Sequence, residues 1–149
     1  MATELIKWYG KEVYMKATAV NKDAMDRAGF LLERHIKESF GTGKPAGHSY
    51  RRTKSGNRHT PAAEGEIPAV DTGTLRASII HQTEETSKGV IGKVGSAIDI
   101  IQAKTGSDMD YGLYLEVGTK KMSARPWLRP ALAATRKEIL KIFKRANGK

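Results

Sequence analysis

From residue 3 to residue 40 the apolar side chains return in steps of three and four: Ile6, Tyr9, Val13, Ala17, Val20, Ala24, Ala28 and Leu31. That is the period of a helix with one apolar face, so the spacing predicts one long amphipathic helix over 3–40, or two nearly collinear ones. Thr3 is placed to cap its start and Gly41 to end it. Asn21, a residue that prefers caps to helix interiors, marks the expected break if there are two.

Beyond residue 40 the pattern changes. Gly41, Gly43, Gly47, Gly56 and Gly65 are interspersed with Pro45, Pro61 and Pro68, and apolar periodicity stops. Residues 41–70 therefore read as a long loop, and loops of that length inside a compact domain are usually functional or disordered. Leu75, Ala77 and Ile79 then alternate with Arg76 and Ser78, polar residues fill 84–89, and an apolar run resumes from Val90 to Val94, as in two antiparallel strands and their turn. Ile98 to Gln102 suggest a short third strand. After the turn-like residues 105–110, Tyr111, Leu113, Leu115 and Val117 alternate with Gly112, Tyr114 and Glu116, the pattern of a half-buried strand, with one or two turns of helix as the alternative.

Pro126 and Pro130 bracket Trp127 and Leu128. Proline is tolerated only in the first turn of a helix, so the last helix is expected to begin near Pro130 and run to about Ala146. Leu132, Ile139, Leu140 and Phe143 give it an apolar face, and Arg136, Lys137, Lys141, Lys144 and Arg145 crowd its polar face and last turns, where cations suit the helix dipole. The expected fold is α+β, one domain over 1–149: a long N-terminal helix (3–40), a long basic loop (41–70), a small antiparallel sheet region (71–118) and a C-terminal helix (126–146).

Length and composition refine this picture. A chain of 149 residues suits one ordinary domain, but 39% apolar against 28% charged residues leaves a small core, so some apolar surface is expected to be covered by a partner. The first residues carry charges where a secretion signal needs an apolar stretch, and no window approaches the ~20 apolar residues of a membrane span, so neither secretion nor a membrane partner is expected. There is no cysteine, which excludes disulfides and thiolate metal sites and is compatible with a reducing compartment.

Charge changes the picture more. Lys and Arg number 26 against 16 Asp and Glu, a formal +10, which bears on partners rather than on fold. Lys44, Arg51, Arg52, Lys54 and Arg58 occur without one acid between Lys44 and His59, and from Thr119 to Lys149 ten Lys and Arg, Lys120 and Lys121 among them, face Glu138 alone. Both stretches are candidate DNA or protein contacts, of the phosphate-directed, sequence-blind kind where the partner is nucleic acid. Tyr50, beside Arg51, is placed to stack on a base.

Catalytic chemistry finds little support. Asp71-Thr72-Gly73 is the triplet of aspartic proteases, and Val90-Ile91-Gly92 resembles the apolar-apolar-Gly element of such folds. A single triplet in so small a chain would require a dimer with two carboxylates sharing a proton. Those proteases are all-β, with an apolar strand leading into the triplet, whereas here Pro68 and a Gly-rich loop precede it, so Asp71 or Thr72 is better read as capping a tight turn closed by Gly73. His35, His48, His59 and His81 show no metal-ligand spacing, and no nucleophile motif or dinucleotide fingerprint occurs. The sequence argues against an enzyme, a metal or a cofactor.

Two segments carry a family resemblance. Residues 67–79, IPAVDTGTLRASI, and residues 111–119, YGLYLEVGT, continuing through 123–131, SARPWLRPA, resemble the head-tail joining or tail-completion family of long-tailed bacteriophages. Their order and spacing, with a long helix before and a closing helix after, extend the resemblance over most of the chain; residues 41–66 are the least family-like part. The resemblance implies an α+β subunit that assembles with itself as a ring, commonly sixfold, in the virion neck or at the head-proximal end of the tail, after synthesis in the host cytoplasm. The implied partners are tail-tube and neck or head-closure proteins, together with the DNA that passes through the channel. Whether the ring is a terminator or an intermediate adaptor stays open.

For the motif residues the resemblance implies structural roles. Asp71, Thr72, Gly73 and Leu75 would fix the turn into the first strand, Glu116, Gly118 and Thr119 would end the later apolar segment at a Gly-dependent bend, and Pro126, Trp127 and Pro130 would set how the last helix begins. Arg76, Arg125 and Arg129 adjoin apolar anchors and Glu116 is the only acid of its segment, so an Arg to Glu116 pair is the expected fixing contact, within or between subunits. The charge, the missing cysteines and the basic loop also fit a second class, a sequence-nonspecific nucleic-acid-binding protein associated with ribosomes or the nucleoid. On the turn reading of Asp71, the purified protein is expected to cleave no peptide and Asp71→Asn to have at most a structural effect. Acid-dependent cleavage that disappears on that substitution would overturn it.

Overall fold

A computed structural model describes residues 10–51, 56–70, 73–97 and 111–148. The architecture is α+β. Gly10–Phe40 form one uninterrupted helix, α1. It passes through Asn21 without a break, and Gly41 follows it in a turn where the Gly41 amide donates to the Glu38 carbonyl at 3.0 Å. Thr3 lies outside the described residues.

Within 41–70 two short strands pair antiparallel, β1 (Tyr50–Arg51) with β2 (Arg58–His59), in the register Tyr50 with His59 and Arg51 with Arg58. A second antiparallel hairpin joins β3 (Ile79–Thr86) to β4 (Gly89–Ser96). It is preceded by the one-and-a-half-turn helix α2 (Thr74–Ser78) and followed later by α3 (Tyr111–Val117) and α4 (Leu128–Ala146). The suggested strand over 98–102 lies outside the described residues.

Two segments that alternate like strands are helical. Leu75 to Ser78 belong to α2, whose N-cap Gly73 has φ 78°. Leu75 packs against the core and Ile79 is fully buried; they are four apart, and on so short a run that spacing suits a helix as well as alternation suits a strand. In the Tyr111–Val117 segment, Gly112, Leu115 and Glu116 are buried while Leu113 and Val117 are exposed, a three-and-four spacing that the alternate apolar letters conceal. The alternative of one or two helical turns is the one realised. β3 also continues through Glu84, Glu85 and Thr86 to a two-residue turn, because these polar residues find partners: Glu85 meets Lys22 of α1 at 2.8 Å and Glu84 meets Lys93 of β4 at 2.9 Å. The last helix begins at Leu128, two residues before Pro130, which still falls in the first turn.

The core forms where α1, the start of β3, α3 and the front of α4 converge: Leu32, Ile36, Phe40, Ile79, Leu115, Trp127 and Ala131. On α1 the buried stripe is Ala24, Ala28, Leu32, Ile36 and Phe40, each four after the last. Gly29 lies beside this stripe, where an added Cβ would come within 3.0 Å of the His81 ring, so a small residue lets the hairpin pack close against the helix. The forward part of the expected stripe is bare: Val13 is 63% exposed and Val20 40%. Length explains this, since α1 spans ~46 Å and α4 ~28 Å at 1.5 Å per residue, so α4 covers only part of it.

Trp127 is 4% exposed, its ring centroid 5.9 Å from that of Phe40 and its Nε1 donating to the Gly112 carbonyl at 2.9 Å. It therefore locks α4 to α1 and α3 more than to the sheet. Trp127→Ala is expected to cost about 3 kcal/mol or more, through the missing buried area and the cavity left behind. A cost below about 1 kcal/mol in denaturant melts would remove Trp127 from this role.

Candidate functional site

The motif residues of the third helix and the start of the fourth converge on one carboxylate. An α-helix leaves its first N–H groups without intrahelical acceptors. At the start of α4 the donors are the amides of Trp127, Leu128 and Arg129; Pro130 has none. All three donate to Glu116: Trp127 and Leu128 to Oε2 at 2.7 and 2.8 Å, and Arg129 to Oε1 at 3.1 Å. The Arg129 side chain adds Nε to Oε1 at 3.0 Å and a longer approach to the Glu116 carbonyl at 3.4 Å. Glu116 thus caps a helix that begins twelve residues after it. Burial opposes ionisation of this carboxyl, but the three amides and the Arg129 guanidinium outweigh it and hold the group below its ordinary value of 4.5.

The bend between the two helices makes this possible. Gly118 has φ 77°, and a Cβ there would lie 2.8 Å from the Ala124 nitrogen, so the position demands glycine twice over. Thr119 and Met122 close a small bridge across the Lys120-Lys121 turn. Arg125 donates its amide to the Leu115 carbonyl at 2.7 Å and its Nε to the Ala62 carbonyl at 2.9 Å. Of the three candidate arginines, Arg129 therefore pairs with Glu116, Arg125 ties in the preceding loop, and Arg76 stands exposed on α2. Asp71 and Thr72 lie outside the described residues.

Loop bonds also bring the segment that follows the first basic stretch against the start of the second. Gly65 donates to the Ala124 carbonyl at 2.9 Å and Ser123 to Glu64 at 2.6 Å, which draws residues 61–65 against 119–125. A cleft of about 490 Å³ opens there, its lining including His48, Tyr50, His59, Glu64, Leu115, Lys121, Met122 and Arg125. The Tyr50 and His59 rings meet edge to face at 5.4 Å. Arg51 and Arg58 sit at the next register position of the hairpin. Lys44 is apart, in a groove beside Pro126 and Pro130. Arg52 and Lys54 lie outside the described residues.

Sequence reasoning missed a second carboxylate junction, between α1 and β3. Glu33 Oε2 accepts the His81 amide at 3.1 Å and its Nδ1 at 2.5 Å, Oε1 accepts Lys37 at 2.5 Å, and Asp26 lies 3.4 Å from His81 Nε2. Burial raises the Glu33 carboxyl, but Lys37 and His81 outweigh it and hold it below its ordinary value. Forty-eight residues separate Glu33 from His81, so no local pattern announces the pair. Among the described residues no group of three or more His, Cys, Asp or Glu is arranged to hold a metal. Comparison of the chain with protein-family models, curated proteins and solved structures finds no match.

Both junction carboxyls titrate lower in the folded chain than in the unfolded one. Their contribution to stability is therefore complete above the ordinary carboxyl value of 4.5 and is lost as pH falls through the lowered folded values. Urea melts across this range should show that decline in acid. Glu116→Gln, which leaves buried amides facing a poorer acceptor, should cost about 2 kcal/mol at neutral pH and flatten the acid dependence. A variant as stable as the parent would remove the carboxylate from its capping role.

Proposed function

We propose that this protein is a non-enzymatic structural subunit of a ring at the head-proximal end of a long-tailed phage tail, a terminator or neck adaptor that joins tail to head and leaves a channel for DNA. The observation that carries the reading is the use made of the family-like motif residues. Glu116, Gly118, Arg125, Trp127 and Pro130 are consumed in building a rigid joint between two helices, with hydrogen bonds turned inward rather than toward a substrate. A motif of that kind belongs to a scaffold.

The uncovered apolar surface supports the reading as well. Val13, Tyr14 and Met15 on α1, Leu113 and Val117 on α3, and Leu132 and Leu140 on α4 are all about half or more exposed. Isolated exposed apolar residues need no explanation, but recurrence on three helices suits a chain that meets several neighbours. A head-to-tail ring requires two different faces on each subunit. No described helix is long and apolar enough to cross a membrane.

The cations of the cleft and hairpin favour a second reading, a sequence-nonspecific nucleic-acid-binding protein acting alone. Light scattering and electron microscopy of the purified protein, alone and with tail tubes, separate the two. Rings of one stoichiometry, commonly sixfold by the resemblance, seated on tube ends are the expected result. A chain that stays monomeric with tubes yet binds free duplex with a steep salt dependence would replace the ring reading with the second one.

A further inference from the structure

The β1–β2 hairpin places two like charges directly opposite each other. Arg51 and Arg58 are cross-strand partners, a juxtaposition that destabilises a ladder. Both are exposed, and among the described residues neither side chain has an ion pair or hydrogen bond. The described carboxylates in ion pairs are engaged elsewhere, as Asp23 is with Arg27, Glu38 with Arg34 and Glu85 with Lys22. Because side chains alternate across a strand, Arg51 and Arg58 share one face of the hairpin, and Tyr50 and His59, which line the cleft, share the other. Ser49 and Thr60, one step further along, have hydroxyls 2.5 Å apart and fall on the arginine face by the same alternation. Among the described residues of the hairpin, that face holds two guanidinium forks and two hydroxyls with no acid.

We propose that the Arg51–Arg58 face is a phosphodiester-binding fork for the DNA backbone, independent of base sequence. Guanidinium groups bind phosphate oxygens bidentately, and hydroxyls of Ser and Thr are common phosphate donors. The repulsion left in the hairpin is relieved when a polyanion lies across it. The flanking sequence has one sign throughout, with no acid from Lys44 to His59, as suits a uniformly charged polymer better than a mixed protein surface. The inference rests on the ring reading only in naming DNA as the polymer.

The test uses the full-length chain and a labelled short duplex of random sequence, read by fluorescence anisotropy over a salt titration. Arg51→Ala with Arg58→Ala is expected to weaken binding about tenfold near physiological salt, equally for unrelated sequences, and to make the log–log salt dependence shallower by about two, close to 0.9 for each phosphate no longer neutralised. Arg51→Lys with Arg58→Lys should keep the salt slope and weaken affinity, since lysine keeps the charge without the fork. Lys11→Ala with Lys16→Ala, exposed on α1 and outside both basic stretches, is the control that changes neither by as much. Because the two arginines repel, the alanine pair should melt no lower than the parent, which separates a binding defect from a folding defect. Unchanged affinity and slope in the alanine pair overturn the proposal. So does tighter binding, through the same residues, of an RNA hairpin or an acidic peptide than of the duplex. Assembly is scored separately by light scattering, so a chain that forms no ring but binds duplex through the fork would overturn the ring reading alone.

Discussion

A buried carboxylate that closes the start of a helix is the interaction on which the rest of this structure depends. An ionised Glu116 at 7% exposure would be costly were its oxygens unmet. Three amides and a guanidinium meet them, and the same bonds satisfy donors that α4 cannot satisfy internally. Once that joint is closed, α3 and α4 have a set relation, Trp127 is driven between them onto Phe40, and the turn at Gly118 has one available course. The loop from 61 to 65 is then fastened to the outside of the joint by Arg125 and Ala124. The cleft exists because of that fastening.

α1 is the platform for everything else, and it is used unevenly. Its second half is buried by the hairpin on one side and α4 on the other, with small residues at Ala24, Ala28 and Gly29 where neighbours approach closely. The Glu33 carboxylate repeats the logic of Glu116 at the hairpin, accepting from a distant backbone amide, a ring nitrogen and a lysine. The first described turns of α1 have no such cover. An isolated helix of that length is marginal in water, so much of its support comes from continuity with the packed half.

The charge balance follows the same division. Carboxylates at Glu33 and Glu116 are drawn into internal junctions, and those at Asp23, Glu38, Glu84 and Glu85 sit in surface pairs. Arg51, Arg58 and the polar face of α4 are left turned outward. Part of the net +10 therefore stands on the outside as unpaired cation. In the proposed ring, apolar helix faces would meet protein neighbours, while the basic hairpin is suited to a polyanion.

What the sequence determined by itself was whatever depends on neighbours a few residues apart: the long first helix from its three-and-four period, its end at Gly41, a pair of antiparallel strands ahead of residue 96 though with the first one placed too early, a closing helix with Pro130 in its first turn, and the inward place of Trp127. It also carried the Glu116 to arginine pairing as an expectation, because the acid stood alone among cations. Short segments were ambiguous. Residues 74–78 and 111–117 alternate apolar and polar letters like strands, and only packing decided that their three-and-four neighbours, Gly112 with Leu115 and Glu116, would face the core as helices. Tertiary structure alone also decided which arginine reaches Glu116, which half of α1 is covered, that His81 joins Glu33, and that His48, Tyr50 and His59 line one cleft with Lys121 and Arg125 while Arg51 and Arg58 fall on the other face of their hairpin. Each of those depends on where distant segments meet in space, and a meeting of residues far apart in the chain leaves no periodicity in the letters around either one.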